Sequence, residues 1–94
     1  MPTYILLSSL TAQGVQTLKS NPARLREVNS DVEELGARVV HQWATLGPFD
    51  FVNVVEAPDA ETIAKVSVAL GARGSAKLQT LTAFSIDDFL SSLS

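Results

Sequence analysis

Cysteine is absent from this 94-residue chain, and histidine occurs only once, as His41. Without cysteine, the chain can form no disulfide, no thiolate nucleophile and no cysteine metal site. The carboxylates also lack the spacing of metal ligands, and one histidine alone makes a weak ligand set. The sequence therefore predicts neither a metal centre nor a bound cofactor.

Charged residues are scarce as well. They make up 18% of the chain, against about 25% in a typical soluble domain. The seven basic residues are scattered and the net charge is −3, which argues against the clustered basic surface of a nucleic-acid-binding protein. No apolar run approaches the ~20 residues of a membrane span, and the N-terminus lacks the order of a signal peptide. We therefore expect a cytoplasmic protein that binds neither nucleic acid nor a membrane.

Apolar residues, in contrast, are abundant. They make up 46% of the chain, and the mean hydropathy is +0.19. A chain of this length is expected to form one domain, residues 1–94, near the lower end of the sizes that support a hydrophobic core. Burial against a second copy would enlarge that core, so we expect a homo-oligomer.

Strand-like and helical runs alternate along the chain. Strands are predicted at residues 3–9, 37–46, 49–57 and 76–84. The dipeptide Gly47-Pro48 lies between the second and third runs and predicts an antiparallel hairpin. With a helical region in each long connection, the order is β-α-β-β-α-β. This order predicts an α+β, ferredoxin-like fold with a four-stranded antiparallel sheet and helices on one face.

The helical regions are marked by their ends. A first helical turn after Thr11 is interrupted at Asn21, which we expect to cap a second helix with Pro22 at its first position. Gly36 is predicted to end that helix as a left-handed residue. A further helix is predicted at 59–71, and the tail 86-IDDFLSSL-93 is predicted to form a final helical turn or two.

The predicted strands are apolar on both faces, which a sheet covered on one side alone does not explain. The run 51-FVNVV-55 carries apolar side chains on each side. Strict alternation in the second strand would place Val39, His41 and Trp43 together on one face and leave mostly apolar residues on the other. Monomers seldom expose a patch of that size. We therefore expect the equivalent face of a second copy to cover it in a two-fold dimer.

Several segments carry a resemblance to a known family. They are 46-LGPFDFV-52, 55-VEAPD-59 and 71-GARG-74, within a similarity that extends from 3-TYILLSSLTAQG-14 to 86-IDDF-89. Together they resemble the GYD-domain family, named for a Gly-Tyr-Asp signature. Here Pro48 separates Gly47 from Phe49-Asp50, and phenylalanine replaces the tyrosine. The resemblance implies a dimeric α/β barrel, in which two ferredoxin-like sheets face each other, but it implies no particular activity.

Two residues are candidates for catalysis. His41 is a candidate because histidine is the residue type best suited to accept a proton near neutral pH, although a structural histidine is the simpler interpretation. Asp50, beside the hairpin turn, could act as a base or orient His41. Alternatively, its carboxylate accepts backbone N–H groups and fixes the turn.

Other residues are candidates for ligand binding. Asn53 is a polar exception within an apolar strand, so it could orient a ligand or pair across strands or subunits. Tyr4, Trp43 and Phe51 could line a pocket, although packing is their alternative role. Near the end of the third strand, Glu56 is predicted to form an ion pair with a basic residue such as Arg73.

These observations leave three functions open. The first is a homo-oligomeric small-molecule-binding domain with an apolar pocket for a small apolar or aromatic ligand. The second is a cofactor-independent oxygenase or isomerase that uses His41 as base, with Asp50 or Asn53 orienting it. The third is a purely structural assembly module whose two-faced sheet exists to oligomerise.

Overall fold

The structure, a computed structural model, describes residues 1–94 and confirms the predicted order of strands and helices. The strands are β1 (Thr3–Leu10), β2 (Arg38–Ala44), β3 (Phe51–Glu56) and β4 (Ala76–Ala83). The helices are α1 (Ala12–Ser20), α2 (Arg24–Glu34), α3 (Ala60–Gly71) and α4 (Ile86–Ser92). All strand pairs are antiparallel, in the spatial order β2-β3-β1-β4, as the ferredoxin-like prediction requires. None of the helices has the length and apolarity needed to cross a bilayer.

The helix boundaries follow local chemistry, with one difference from the prediction. The Thr11 side chain caps α1 by accepting the N–H of Gly14, and Gly36 ends α2 with a φ of 100°. The prediction that Asn21 caps α2 is wrong, because its N–H instead closes the end of α1. A turn at Pro22–Ala23 separates the two helices, and α2 begins at Arg24 without a side-chain cap.

The hydrophobic core lies between one face of the sheet and helices α2 and α3. On the sheet side, alternate residues of β1 and β3 are buried, including Tyr4, Leu6 and Val55. On the helix side they meet Val32 of α2 and Val66 of α3, which are 3% and 0% exposed. We call this side of the sheet the helix face.

A β-bulge in β2 changes which residues share a face. The register with β3 shifts between Val39 and His41, so that Val39 pairs with Val55 and His41 pairs with Val54. The predicted grouping of Val39 with His41 and Trp43 is therefore wrong. Val39 packs against the core, whereas His41 and Trp43 lie on the opposite side, because a bulge breaks the two-residue alternation of a strand.

No helix of the chain covers that opposite side, which we call the open face. Cross-strand pairing aligns its side chains in two rows. The rows are Trp43–Val52–Leu7–Gln79 and His41–Val54–Ile5–Leu81. Most of these side chains are apolar, so the open face confirms the two-faced character predicted from the strands.

Helix α4 stands apart from the rest of the fold. It follows β4 directly, and every residue from Phe84 to Ser94 is exposed. The helix packs extensively against no other element. The longest dimension of the molecule is 51 Å against 18 Å for the shortest, so the chain is elongated.

Candidate functional site

A cleft of about 120 Å³ opens between the helix face of the sheet and helices α1 and α2. Its walls are mostly apolar: Leu6, Leu10 and Phe51 contribute from the strands, and Leu18 and Val28 from the helices. Helices α1 and α2, which both contribute to the lining, are separated by the Pro22 turn. An apolar concavity with a few polar groups is the usual form of a small-molecule site.

Side-chain amides form a hydrogen-bonded chain along one wall of this cleft. Asn53 accepts a hydrogen bond from Gln42 Nε2 at 2.8 Å and donates to the backbone oxygen of Leu6 at 3.0 Å and to Ser8 Oγ at 3.3 Å. Gln42 in turn exchanges hydrogen bonds with Asn29 of α2 at 2.9 and 3.3 Å. This hydrogen-bond network connects α2 to β2, β3 and β1. It also gives the buried amide of Asn53 the partners that a buried polar group requires.

An arginine, Arg73, also lines the cleft. Arg73 Nη2 forms an ion pair with Asp31 Oδ2 at 2.8 Å, while its Nη1 is buried and has no hydrogen-bond partner. The predicted ion pair of Glu56 with a basic residue is confirmed, although its partner is not Arg73. Glu56 pairs with Arg38 at 3.3 Å, because the two residues face each other across the β2–β3 ladder.

The ligand-binding candidates divide between the core, the cleft and the open face. Phe51 and Asn53 both line the cleft. Tyr4 is 5% exposed and belongs to the core. His41 and Trp43 stack on the open face with ring centroids 5.5 Å apart and an interplanar angle of 21°. The sheet therefore separates the histidine from Asn53 within one chain.

Asp50 connects the β2–β3 hairpin to the end of β1 through hydrogen bonds. Its carboxylate Oδ2 accepts the backbone N–H of Leu10 at 2.7 Å, and its own N–H donates to the carbonyl of Ser8 at 2.8 Å. The hairpin itself is closed by Thr45, whose N–H donates to the Asp50 carbonyl at 2.8 Å. Asp50 thus holds the end of β1 against the hairpin, and it does not contact His41, which pairs with Val54 further along the strand.

Sequence reasoning missed several residues of the cleft. Ser8, Asn29, Gln42 and Arg73 were not proposed as site residues, yet they supply most of its polar groups. A signal existed for two of them. Ser8 and Gln42 are polar exceptions in apolar strands, as Asn53 is. Asn29 and Arg73 gave no such signal, because polar residues are ordinary on a helix surface and in a loop.

The carboxylate of Asp59 lies at the start of α3. The pKa of Asp59 is lowered from its ordinary value of 3.8, chiefly by the hydrogen bond from the Thr62 side chain and then by the Thr62 backbone N–H. This carboxylate caps α3 and is exposed, so the shift reflects helix capping. No group of histidine and carboxylate side chains has an arrangement that could hold a metal ion.

The fold, the cleft and the open face define a small α+β domain of the ferredoxin-like class with two candidate binding surfaces. A family model described as GYD domain matches residues 4–93. The chain therefore belongs to the GYD domain family, which confirms the resemblance drawn from its segments.

Two proteins from Thermus thermophilus are similar to this chain. One, called a glutamine synthetase and cystathionine beta-lyase binding protein, is 52% identical over 94 residues and is matched over 99% of each chain. The other is TTHA0845, whose crystal structure superposes with a TM-score of 0.56 at 24% identity, covering 90% of this chain and 95% of that one. The second likeness establishes the fold alone.

Proposed function

We propose that this chain is a cytoplasmic, homo-oligomeric protein-binding module that binds glutamine synthetase or cystathionine β-lyase. The observation that carries the proposal is the similarity to a protein named for binding these two enzymes, at 52% identity across the whole chain. The structure adds two apolar surfaces that the chain's own fold leaves uncovered, the open face and helix α4.

Helix α4 is the element that we assign to the enzyme partner. Its apolar residues recur at the three- and four-residue steps of one helix stripe: Ile86, Phe89, Leu90 and Leu93. Phe89 is 43% exposed and Leu93 69% exposed. A seven-residue helix is far below the ~12–15 residues at which isolated helices become even marginally stable. Packing against a partner would supply the missing stabilisation.

The open face is the surface that we assign to a second copy. An isologous two-fold interface brings the same apolar patch together from both subunits, so the open face can cover itself. Trp43 and Leu81 are 52% and 46% exposed in one chain, and such pairing would close a dimeric α/β barrel.

Sedimentation velocity tests whether two copies pair through the open face. Leu81→Asp should shift the chain to the monomer, while Val68→Asp, at an exposed position on α3, should not.

Binding to the two enzymes can be tested by isothermal titration with purified glutamine synthetase and cystathionine β-lyase from the same organism. The variant Phe89→Ser/Leu93→Ser should weaken binding at least about tenfold. It should also nearly retain the wild-type melting temperature, because α4 packs extensively against no other element. Val68→Ser is the control for loss of an exposed apolar side chain. Unchanged affinity of the α4 variant would reject α4 as the binding element, and absence of binding to both enzymes would reject the proposal.

A second candidate function is small-molecule binding in the cleft. The specific observation in its favour is the combination of an apolar cavity with convergent polar groups from Ser8, Asn53 and Arg73. This role is compatible with protein binding, because the cleft and the open face lie on opposite sides of the sheet.

A further inference from the structure

We propose that the cleft binds a small monocarboxylate with a branched or cyclic apolar body, and that Arg73 and Ser8 receive its carboxylate. This inference rests on the small-molecule role proposed for the cleft and names the chemical class of the ligand. It is independent of the enzyme partner assigned to α4.

The first argument is the incomplete hydrogen bonding of Arg73. Asp31 occupies Nη2 at 2.8 Å, which leaves the buried Nη1 without an acceptor. A buried donor without an acceptor is destabilising, and more so when the group is charged. A ligand carboxylate that reaches Nη1 would supply the missing acceptor, because arginine binds carboxylates through its N–H groups.

The second argument is the unused proton of Ser8. Its Oγ accepts a hydrogen bond from Asn53 at 3.3 Å, and no acceptor lies within reach of its own hydroxyl proton. Ser8 is 6% exposed and lines the cleft. The Ser8 hydroxyl and Arg73 Nη1, the two donors without an acceptor, therefore belong to residues that line the same cleft. The amides of Asn53 and Gln42 are already paired with each other, so they are not the groups that await a ligand.

The third argument is the sign of the charge along the walls. Arg24 and Arg73 line the cleft, whereas no aspartate or glutamate does. The acidic partners of these arginines, Glu27 and Asp31, lie outside the lining. A ligand ammonium group would therefore find no counter-charge, so the cleft favours a simple carboxylate over an amino acid with the same side chain.

The size of the cavity limits the apolar body. At about 120 Å³, it is somewhat smaller than the ~150 Å³ engineered cavity that binds benzene. An apolar body of about five non-hydrogen atoms is the expected fit on that comparison. 3-Methylbutanoate, whose apolar body is an isobutyl group beside the carboxylate, is the probe that we choose.

The test compares three matched ligands by isothermal titration and by ¹H–¹⁵N NMR at neutral pH. They are 3-methylbutanoate, the neutral 3-methylbutanamide and valine, which is 3-methylbutanoate with an added ammonium group. We expect 3-methylbutanoate to bind at least about tenfold more tightly than either of the others, with shifts at Ser8 and at the Arg73 side-chain Nε–H. Equal affinity for the acid and the amide would overturn the carboxylate assignment and leave the cleft as a ligand site. Absence of binding by all three would overturn both.

Two variants separate ligand recognition from a structural role. Arg73→Gln should weaken 3-methylbutanoate binding about tenfold while leaving the weaker amide binding unchanged. Asp31→Asn removes the same ion pair but keeps the guanidinium, so acid binding should stay within about threefold of wild type. Equal losses in both variants would show that the ion pair merely shapes the cleft.

Discussion

Replacing Gly14 with alanine should destabilise the protein although alanine is the better helix former. Gly14 lies in α1 and is buried. A Cβ at this position would clash with the carbonyl oxygen of Ser75 and stand 3.1 Å from Leu10 Cδ2. The first contact is with backbone, so no change of side-chain rotamer can relieve it. The start of α1 must move away from the segment before β4.

The size of the effect follows from three contributions. Overpacking of this kind costs typically about 1–3 kcal/mol. The movement also strains the Thr11 N–H to Ser75 hydrogen bond of 3.0 Å, worth about 1 kcal/mol. The higher helix propensity of alanine offsets about 1 kcal/mol of this loss in stability. We expect the free energy of unfolding to fall by about 1–3 kcal/mol, which lowers the melting temperature by roughly 4–24 °C in a domain of this size.

The matched control is Gly71→Ala at the end of α3. Nothing lies within 4 Å of a Cβ there, and the backbone is not in the left-handed region. This variant should be neutral or more stable by up to about 1 kcal/mol. Thermal and urea unfolding followed by circular dichroism, at one protein concentration, measures both variants. A Gly14→Ala variant as stable as wild type would refute the close approach of α1 to Ser75.

Three further predictions concern hydrogen bonds. Asp59→Ala should lower the melting temperature at pH 7, because it removes the cap of α3. The Asp59 pKa is lowered in the folded state, so the carboxylate contributes its full stabilisation above pH 3.8 and loses it as the pH falls through the folded-state pKa. The difference in melting temperature between variant and wild type should therefore shrink in that acidic range. Asp50→Ala should lower the free energy of unfolding by about 1–3 kcal/mol, because the Leu10 N–H loses its acceptor; an effect within error would contradict that role. Asn53→Leu should lower the free energy of unfolding in urea by about 2–4 kcal/mol, because polar groups on β1 and β2 lose their hydrogen-bond partner. A stabilised variant would show that the amide is dispensable for folding.

The fold was predictable because its signals are local and agree with one another. Gly36 as a left-handed helix end, the hairpin at Gly47-Pro48 and the apolar stripe of α2 each specify one boundary or face. The incorrect predictions arose where the same local sequence pattern is compatible with more than one structure. The bulge after Val39 requires only one extra residue in β2, and strict alternation cannot reveal it.

The candidate site was less predictable because it depends on contacts between distant segments. Asn53 stood out as a polar residue in an apolar strand, and the structure confirms that its amide is buried and paired. Its partner Gln42 lies opposite it in the β2–β3 ladder, in a register that follows the bulge after Val39. The ion pair between Arg73 and Asp31 depends on how the loop after α3 packs against α2. No spacing along the sequence encodes those distances.

The central claim, that this chain binds a metabolic enzyme, is tested most directly by sedimentation velocity of the labelled chain with each enzyme in turn. We predict that the chain sediments with glutamine synthetase or with cystathionine β-lyase, and that excess unlabelled chain displaces it. Sedimentation of the labelled chain at its own rate in both mixtures would contradict the claim.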